Sequence, residues 1–161
     1  SQDSQGFYPS RLCIFDKDGA LLRWYWHPGP LHDVVIGAER SGGDPLIIVS
    51  AVNVGLRGPM HFNGSIGALF ALDPKSIKGE APPYAGRSGR GTQLWYGVLQ
   101  PARQSIDNLE ILDIDQDGRN EISFRASPHE VFYLRFDGEK KEIRSDEAER
   151  PRVSFKLIQV W

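Results

Sequence analysis

Polar and apolar residues alternate over short stretches of this chain, and Gly, Pro, Asn and Asp interrupt the stretches every few residues. A period of two is typical of β-strands, whereas the i, i+3, i+4 spacing of amphipathic helices is scarce here. The chain is therefore expected to be all-β. The pattern predicts strands at 11–16, 20–26, 33–38, 46–52, 67–72, 94–99, 109–113, 121–126, 130–136, 139–144 and 152–160.

Three dipeptides between apolar runs predict tight hairpin turns. They are Asp18-Gly19, Asn63-Gly64 and Asp137-Gly138. In each pair the glycine can adopt the positive φ that such turns need. The flanking sequences of the first and the third, "LCIFDKDGALLRW" and "VFYLRFDGEKKEI", superpose at a shift of 119 residues. This similarity is the first sign of an internal repeat.

A second pair of similar segments adds evidence for an internal repeat. "VVIGAERSGGDPLIIVS" at 34–50 matches "EILDIDQDGRNEISFRA" at 110–126, a shift of 76 residues. We expect both to follow the same path from loop to strand. The first copy should hold no ion, because Gly37 and Pro45 offer no side-chain oxygen. Residues 1–10 are interpreted as a linker or terminal edge, and 11–161 as a single all-β domain with a degenerate internal repeat.

Length and charge limit the classes of function. The 161 residues carry a formal net charge of −2, with a pI near 6.1, so no general attraction to nucleic acid or membranes is expected. No apolar run is long enough for membrane insertion. Cys13 is the only cysteine, which excludes an intrachain disulfide and a thiolate zinc site. The compartment stays open, with an extracytoplasmic location favoured.

The acidic stretch "LDIDQDGRNEISF", 112–124, is the strongest candidate site. Counted from Asp113, side-chain oxygens come at positions one, three and five, and glycine at six permits a sharp turn. Ca²⁺ takes 6–8 oxygen ligands at about 2.3–2.6 Å, whereas Mg²⁺ requires stricter octahedral geometry. The alternative is an Asp-rich turn whose carboxylates cap backbone N–H groups without a metal.

"DIDQDGRNEI" resembles the calcium loop of FG-GAP/VCBS-type repeats, found in integrin-like β-propellers and in many bacterial modules. A weaker similarity to bacterial modules appended to larger proteins covers most of the chain. The resemblance implies Ca²⁺ as cofactor and a set of five ligands, namely Asp113, Asp115, Asp117, Arg119 and Glu121, with arginine contributing its backbone carbonyl. The predicted strands are too few for a closed propeller. Antiparallel blade-like hairpins in a partial propeller or a sandwich-like single domain fit better.

Other candidate binding residues lie on one aromatic strand and in two long loops. Trp24 and Trp26 share one face of a predicted strand, where they would form a sugar platform or, as we expect, pack in the core. The long segments 53–66, rich in Gly, and 74–93, rich in Gly, Pro and Ser, are either disordered or a mere covering of the domain, or they bind a ligand. Their candidate ligand-binding residues are Arg57, His61, Arg87 and Arg90.

No catalytic motif is present: the four histidines lack metal spacing and there is no serine elbow. We therefore expect a non-catalytic, Ca²⁺-braced module that is part of a larger protein. Its partner would be a carbohydrate, a protein ligand or a neighbouring domain, and not nucleic acid. The alternative is a small carbohydrate-active enzyme or sugar-binding domain that uses Trp24 and Trp26.

Overall fold

A computed structural model describes residues 10–27, 29–54, 65–77, 93–100, 105–126, 130–142 and 154–158. These residues form strands and connecting turns, with every strand pair antiparallel, which confirms the all-β prediction. The strands are β1 (Ser10–Phe15), β2 (Leu21–His27), β3 (Leu31–Gly37), β4 (Leu46–Val54), β5 (Ser65–Leu72), β6 (Gln93–Gln100), β7 (Ile106–Leu112), β8 (Glu121–Ala126), β9 (Glu130–Leu134) and β10 (Ser154–Ile158). Over these ranges, no helix has the length and hydropathy that a membrane crossing requires.

The strands form three sheets that pack as layers. A five-stranded sheet in the order β10-β6-β5-β4-β3 is central, and it is flanked by the three-stranded sheet β7-β8-β9 and the two-stranded ribbon β1-β2. β4, β5 and β6 read as nearly continuous apolar runs because both of their faces are covered. This layering corresponds to the sandwich-like alternative rather than to blades around an axis.

The three-stranded sheet covers one face of the central sheet. The core between them contains Ile48, Leu69 and Trp95 from the central sheet and Phe124 from β8. Phe124 stacks on Phe132 at a centroid distance of 5.2 Å and meets the edge of the Phe155 ring at 5.5 Å. Aromatic contacts of this kind add to the apolar area buried between the layers.

The ribbon β1-β2 covers part of the opposite face. Tyr25 of this ribbon is 2% exposed and packs in the core, where its ring centroid lies 5.3 Å from that of Phe70. The Tyr25 hydroxyl accepts a hydrogen bond from the Gln93 side-chain amide at 2.8 Å. The partly buried Leu12 and Ile14 of β1 pack against the same cluster. The central sheet thus has a core on each face.

The core packing expected for Trp24 and Trp26 is not seen: both are partly buried, but neither belongs to a core cluster of the described residues. Tyr25 and His27 of β2 are the buried residues, and the two tryptophans are half-buried on the other side of the strand. Strand alternation separates these two sets correctly, but it does not say which set faces the core. In "LLRWYWH" both faces carry large aromatic or apolar side chains, so the choice depends on the docking of the ribbon onto Phe70.

Two predicted hairpin turns are confirmed and one predicted strand is not. Gly19 and Gly138 have φ of +84° and +87°, and each donates its N–H to the carbonyl three residues earlier. Of the predicted strand 139–144, the described residues 139–142 form only an isolated bridge between Leu134 and Lys140. Residues 143–144 and the Asn63-Gly64 turn lie outside the described residues.

Candidate functional site

The acidic stretch forms the loop between β7 and β8, which pair up to Leu112 and Glu121. Asp113 organises this loop: its carboxylate oxygens accept the backbone N–H of Asp117 at 3.0 Å and that of Gly118 at 2.9 Å. Gly118 has a φ of +83°, the left-handed conformation that the sequence predicted glycine to supply at position six. The chain therefore curls around Asp113.

Curling brings Asp113, Asp115 and Asp117 together. One carboxylate oxygen from each lies within 4.8 Å of the others, and the three residues could hold a metal ion. Ligands on opposite sides of a calcium ion are separated by about 4.8 Å, twice a typical Ca–O distance of ~2.4 Å. The cluster therefore has the donor type that a hard divalent cation prefers, and its oxygens are close enough together to share one ion.

The other two residues of the implied ligand set make different contacts. Glu121 is 2% exposed and lies outside the cluster of three aspartates; its Oε2 accepts the Ile114 backbone N–H at 3.0 Å. The Arg119 guanidinium lies 3.3 Å from the Glu39 carboxylate, at the surface. Glu121 thus holds the first turn of the loop from inside, and the Arg119 side chain extends toward a neighbouring loop.

Lys141 is the residue of this site that the sequence did not reveal. Its ammonium lies 2.5 Å from Glu121 Oε1, 2.7 Å from Asp115 Oδ2 and 3.4 Å from Asp117 Oδ2. One cation therefore contacts three carboxylates of the acidic stretch. The only available signal was the local charge, since 105–149 contains thirteen Asp and Glu against six Lys and Arg.

These contacts shift the pKa of both partners. The hydrogen bonds that the Lys141 ammonium donates to the Asp115 and Glu121 carboxylates raise the pKa of Lys141, and the bond to Asp115 lowers the pKa of that carboxyl group. A lowered carboxyl pKa contributes stability that is present above the usual Asp range and lost as the pH falls through the shifted value. A raised lysine pKa contributes stability that is lost only as the pH rises through its own shifted value. The ion pair is therefore complete at neutral pH.

The loop between β3 and β4, residues 38–45, contacts the acidic loop. The Asn120 backbone N–H donates to the Glu39 carbonyl at 2.7 Å, and its side-chain amide donates to the Ala38 carbonyl at 2.8 Å. Gly37 lies against Ile111, where an added Cβ would come within 2.8 Å of the isoleucine Cδ1. We call these bonds and the Arg119–Glu39 pair the inter-loop contact.

The two segments with similar sequences both run from strand through loop to strand. Gly37 and Leu46 close the first hairpin as Leu112 and Glu121 close the second, a spacing of 75 residues between equivalent strand ends. The positive-φ glycines Gly42 and Gly118 are 76 residues apart, as in the sequence match. The glycine therefore comes one residue later in the acidic loop than in its counterpart.

The remaining candidates do not join this site. Trp24 and Trp26 lie on the ribbon β1-β2, where Trp26 pairs with Arg11, whose guanidinium is 5.6 Å from the Trp26 ring centroid. The exposed Phe15 and Leu22 belong to the same ribbon. The other four candidates, Arg57, His61, Arg87 and Arg90, lie outside the described residues.

Comparison with known proteins adds no relative. No protein-family model, no curated protein and no solved structure matches the chain. The resemblance of the acidic loop to FG-GAP/VCBS repeats therefore stays a prediction from the sequence. The functional argument depends on the geometry of the loop itself.

Proposed function

We propose that the chain is a non-catalytic β module in which one Ca²⁺ braces the acidic loop. The observation that carries this proposal is the convergence of Asp113, Asp115 and Asp117 oxygens within 4.8 Å. When bound, the ion would neutralise carboxylates that otherwise repel one another. Because the acidic loop bonds to the loop 38–45, bracing one loop also supports the other. The braced end of the layers would then present a fixed surface to a neighbouring domain or ligand.

The contacts of the carboxylates support a structural rather than a catalytic role. Asp113 is hydrogen-bonded to two backbone amides, and Asp115, Asp117 and Glu121 share the Lys141 ammonium. A general acid or base needs a carboxyl group that is available to a substrate at a suitable pKa. These four carboxylates are occupied in shaping the loop, which is the role expected of structural metal ligands.

Calcium should raise the melting temperature of metal-stripped protein. A ligand at 100 times its Kd that binds only the folded state adds about 2.7 kcal/mol, which for a chain of this size corresponds to a rise of roughly 5–10 °C. Asp115→Asn should abolish the rise, because it removes one charged ligand and leaves the Asp113 bonds to the backbone. Differential scanning fluorimetry of the wild type and the variant, with and without millimolar Ca²⁺, measures the rise in melting temperature.

The matched control is Asp18→Asn, which removes the same charge from an exposed turn between β1 and β2. This variant should keep the full rise. An unchanged melting temperature in the wild type at saturating Ca²⁺, with no heat in a calorimetric titration, would reduce the acidic stretch to an Asp-rich turn.

A second candidate function is carbohydrate binding, and the position of Trp24 and Trp26 on the outer side of β2 favours it. Both rings lie on the side of β2 that faces away from the core, and Arg11 extends over Trp26. Sugar rings stack on such aromatic faces, with polar groups nearby to fix their orientation. This candidate requires neither the acidic loop nor catalysis.

A glycan array tests the second candidate. Binding by the wild type should be lost in Trp24→Ala and Trp26→Ala and kept in Val131→Ala, which alters an exposed apolar residue of β9. We also expect no hydrolysis of any glycan bound. An array on which the wild type retains nothing, or on which the tryptophan variants bind equally well, would eliminate this candidate.

A further inference from the structure

The chain supplies its own cation to the acidic loop. Lys141 reaches the loop from the turn that follows β9, and its ammonium contacts Asp115, Asp117 and Glu121 at 2.7, 3.4 and 2.5 Å. The side chain is 19% exposed, so it fills the space beside the loop rather than extending into solvent. Its backbone is fixed separately, because the Lys141 N–H donates to the Tyr133 carbonyl at 2.8 Å.

Lys141 and a metal ion would use the same carboxylates. Asp115 and Asp117 provide two of the three oxygens of the cluster, and both also contact the ammonium. A divalent cation placed among these oxygens would therefore have a positive charge as its direct neighbour, and like charges at such distances repel strongly. The two cations compete for the loop.

The geometry also provides a route for exchange. A lysine ammonium is a compact charge on a flexible four-carbon stem, so it can leave Asp115 and Asp117 while its backbone stays in place. Glu121 lies outside the aspartate cluster and contacts the ammonium most closely. Lys141 can therefore keep one partner while it releases the two aspartates.

We propose that Lys141 is a tethered counter-cation: it holds the acidic loop together in the metal-free protein, and Ca²⁺ binds only by displacing it from Asp115 and Asp117. This proposal rests on the proposed calcium function and adds a residue that sets the affinity. It explains how Asp115 and Asp117 stay close together without an ion, while the backbone amides of Asp117 and Gly118 hold Asp113. It also makes calcium affinity depend on a residue outside the loop motif.

Isothermal titration calorimetry with CaCl₂ on the metal-stripped 161-residue chain tests the proposal. Lys141→Gln should bind Ca²⁺ about tenfold more tightly than the wild type, since the net charge around a calcium site tunes its affinity over orders of magnitude. The adjacent, exposed Lys140 is the matched control, and Lys140→Gln should leave the affinity unchanged. In EDTA, Lys141→Gln should melt below both the wild type and Lys140→Gln.

The outcomes separate this inference from the proposed function. Equal Ca²⁺ affinity in wild type and Lys141→Gln overturns the inference and leaves the calcium function standing. Binding only in Lys141→Gln overturns displacement of the lysine by Ca²⁺, and with it the calcium function of the wild type, because the lysine then excludes the ion altogether. If neither protein binds Ca²⁺, both proposals fail.

A measurement on the wild type avoids any dependence on a variant that fails to fold. Proton–nitrogen spectra that detect lysine ammonium groups should show a protected Lys141 signal in EDTA. This signal should shift or disappear over the Ca²⁺ range in which the loop amides shift, while the Lys140 signal should not change. Loop amides that report Ca²⁺ binding beside an unperturbed Lys141 ammonium would overturn the proposal.

Discussion

Gly97→Ala is expected to lower the free energy of unfolding by about 3 kcal/mol, the upper end of the usual cost of overpacking a core. The added Cβ would overlap the Phe155 ring and come within 2.7 Å of its Cε1 and Cε2 atoms. The backbone cannot yield, because Gly97 pairs with Leu69 on one side and Leu157 on the other. Urea denaturation followed by tryptophan fluorescence measures the loss.

The Phe155→Ala background tests the cause of that loss. Removing the ring is destabilising by itself, but it opens space for a methyl group at position 97. Gly97→Ala should therefore cost less than about 1 kcal/mol in that background, and a double-mutant cycle isolates the difference as a coupling energy. An equal cost in both backgrounds would mean that the loss does not come from the Phe155 ring.

Tyr25→Ala is expected to cost about 3–5 kcal/mol, as for other large buried aromatic residues. Tyr25 packs on Phe70 in the core, and its loss would also leave the Gln93 amide without the hydroxyl that it now bonds. The neighbouring Trp24→Ala removes a larger side chain from a half-buried position and should cost less than half as much. Chemical denaturation of the two variants compares the faces of one strand directly.

Tyr25→Phe refines this comparison. It keeps the ring and removes only the hydroxyl, so it should cost about 1–3 kcal/mol for the amide left unpaired. A Trp24→Ala variant that is as unstable as Tyr25→Ala would contradict the assignment of Tyr25 to the core face.

The sequence predicted where the strands lie better than what they pack against. Alternating stretches located all ten strands, with β7 starting earlier than expected, at Ile106 instead of residue 109, and they predicted one further strand, 139–144, that is not formed by the described residues 139–142. Alternation is a property of neighbouring residues, so it identifies strands without knowledge of the tertiary structure. The orientation of β2 is not local, because it depends on whether Tyr25 or Trp24 meets Phe70 when the ribbon docks.

In the acidic site, too, the features set by the local sequence were predictable and those set by the tertiary structure were not. The side-chain oxygens at alternate positions and the glycine at position six predicted the convergence of three aspartates, because both are features of one short loop. Lys141 was not predictable, since its contact requires the β9 turn to place residue 141 beside a loop more than 20 residues earlier. Arg119 could be recognised as part of the motif, but its pairing with Glu39 could not.

The inter-loop contact has a consequence for chain entropy. Its side-chain bonds join residues 80 and 82 positions apart, whereas the hairpin β7–β8 closes over a few residues. Closing long loops costs more entropy, so such contacts become favourable once local hairpins have already brought their ends together. The surroundings of the acidic loop are therefore a product of tertiary assembly. A peptide that contains only the loop motif would have the aspartates without Lys141, Ala38 or Glu39, and its affinity for a cation would not represent that of the folded chain.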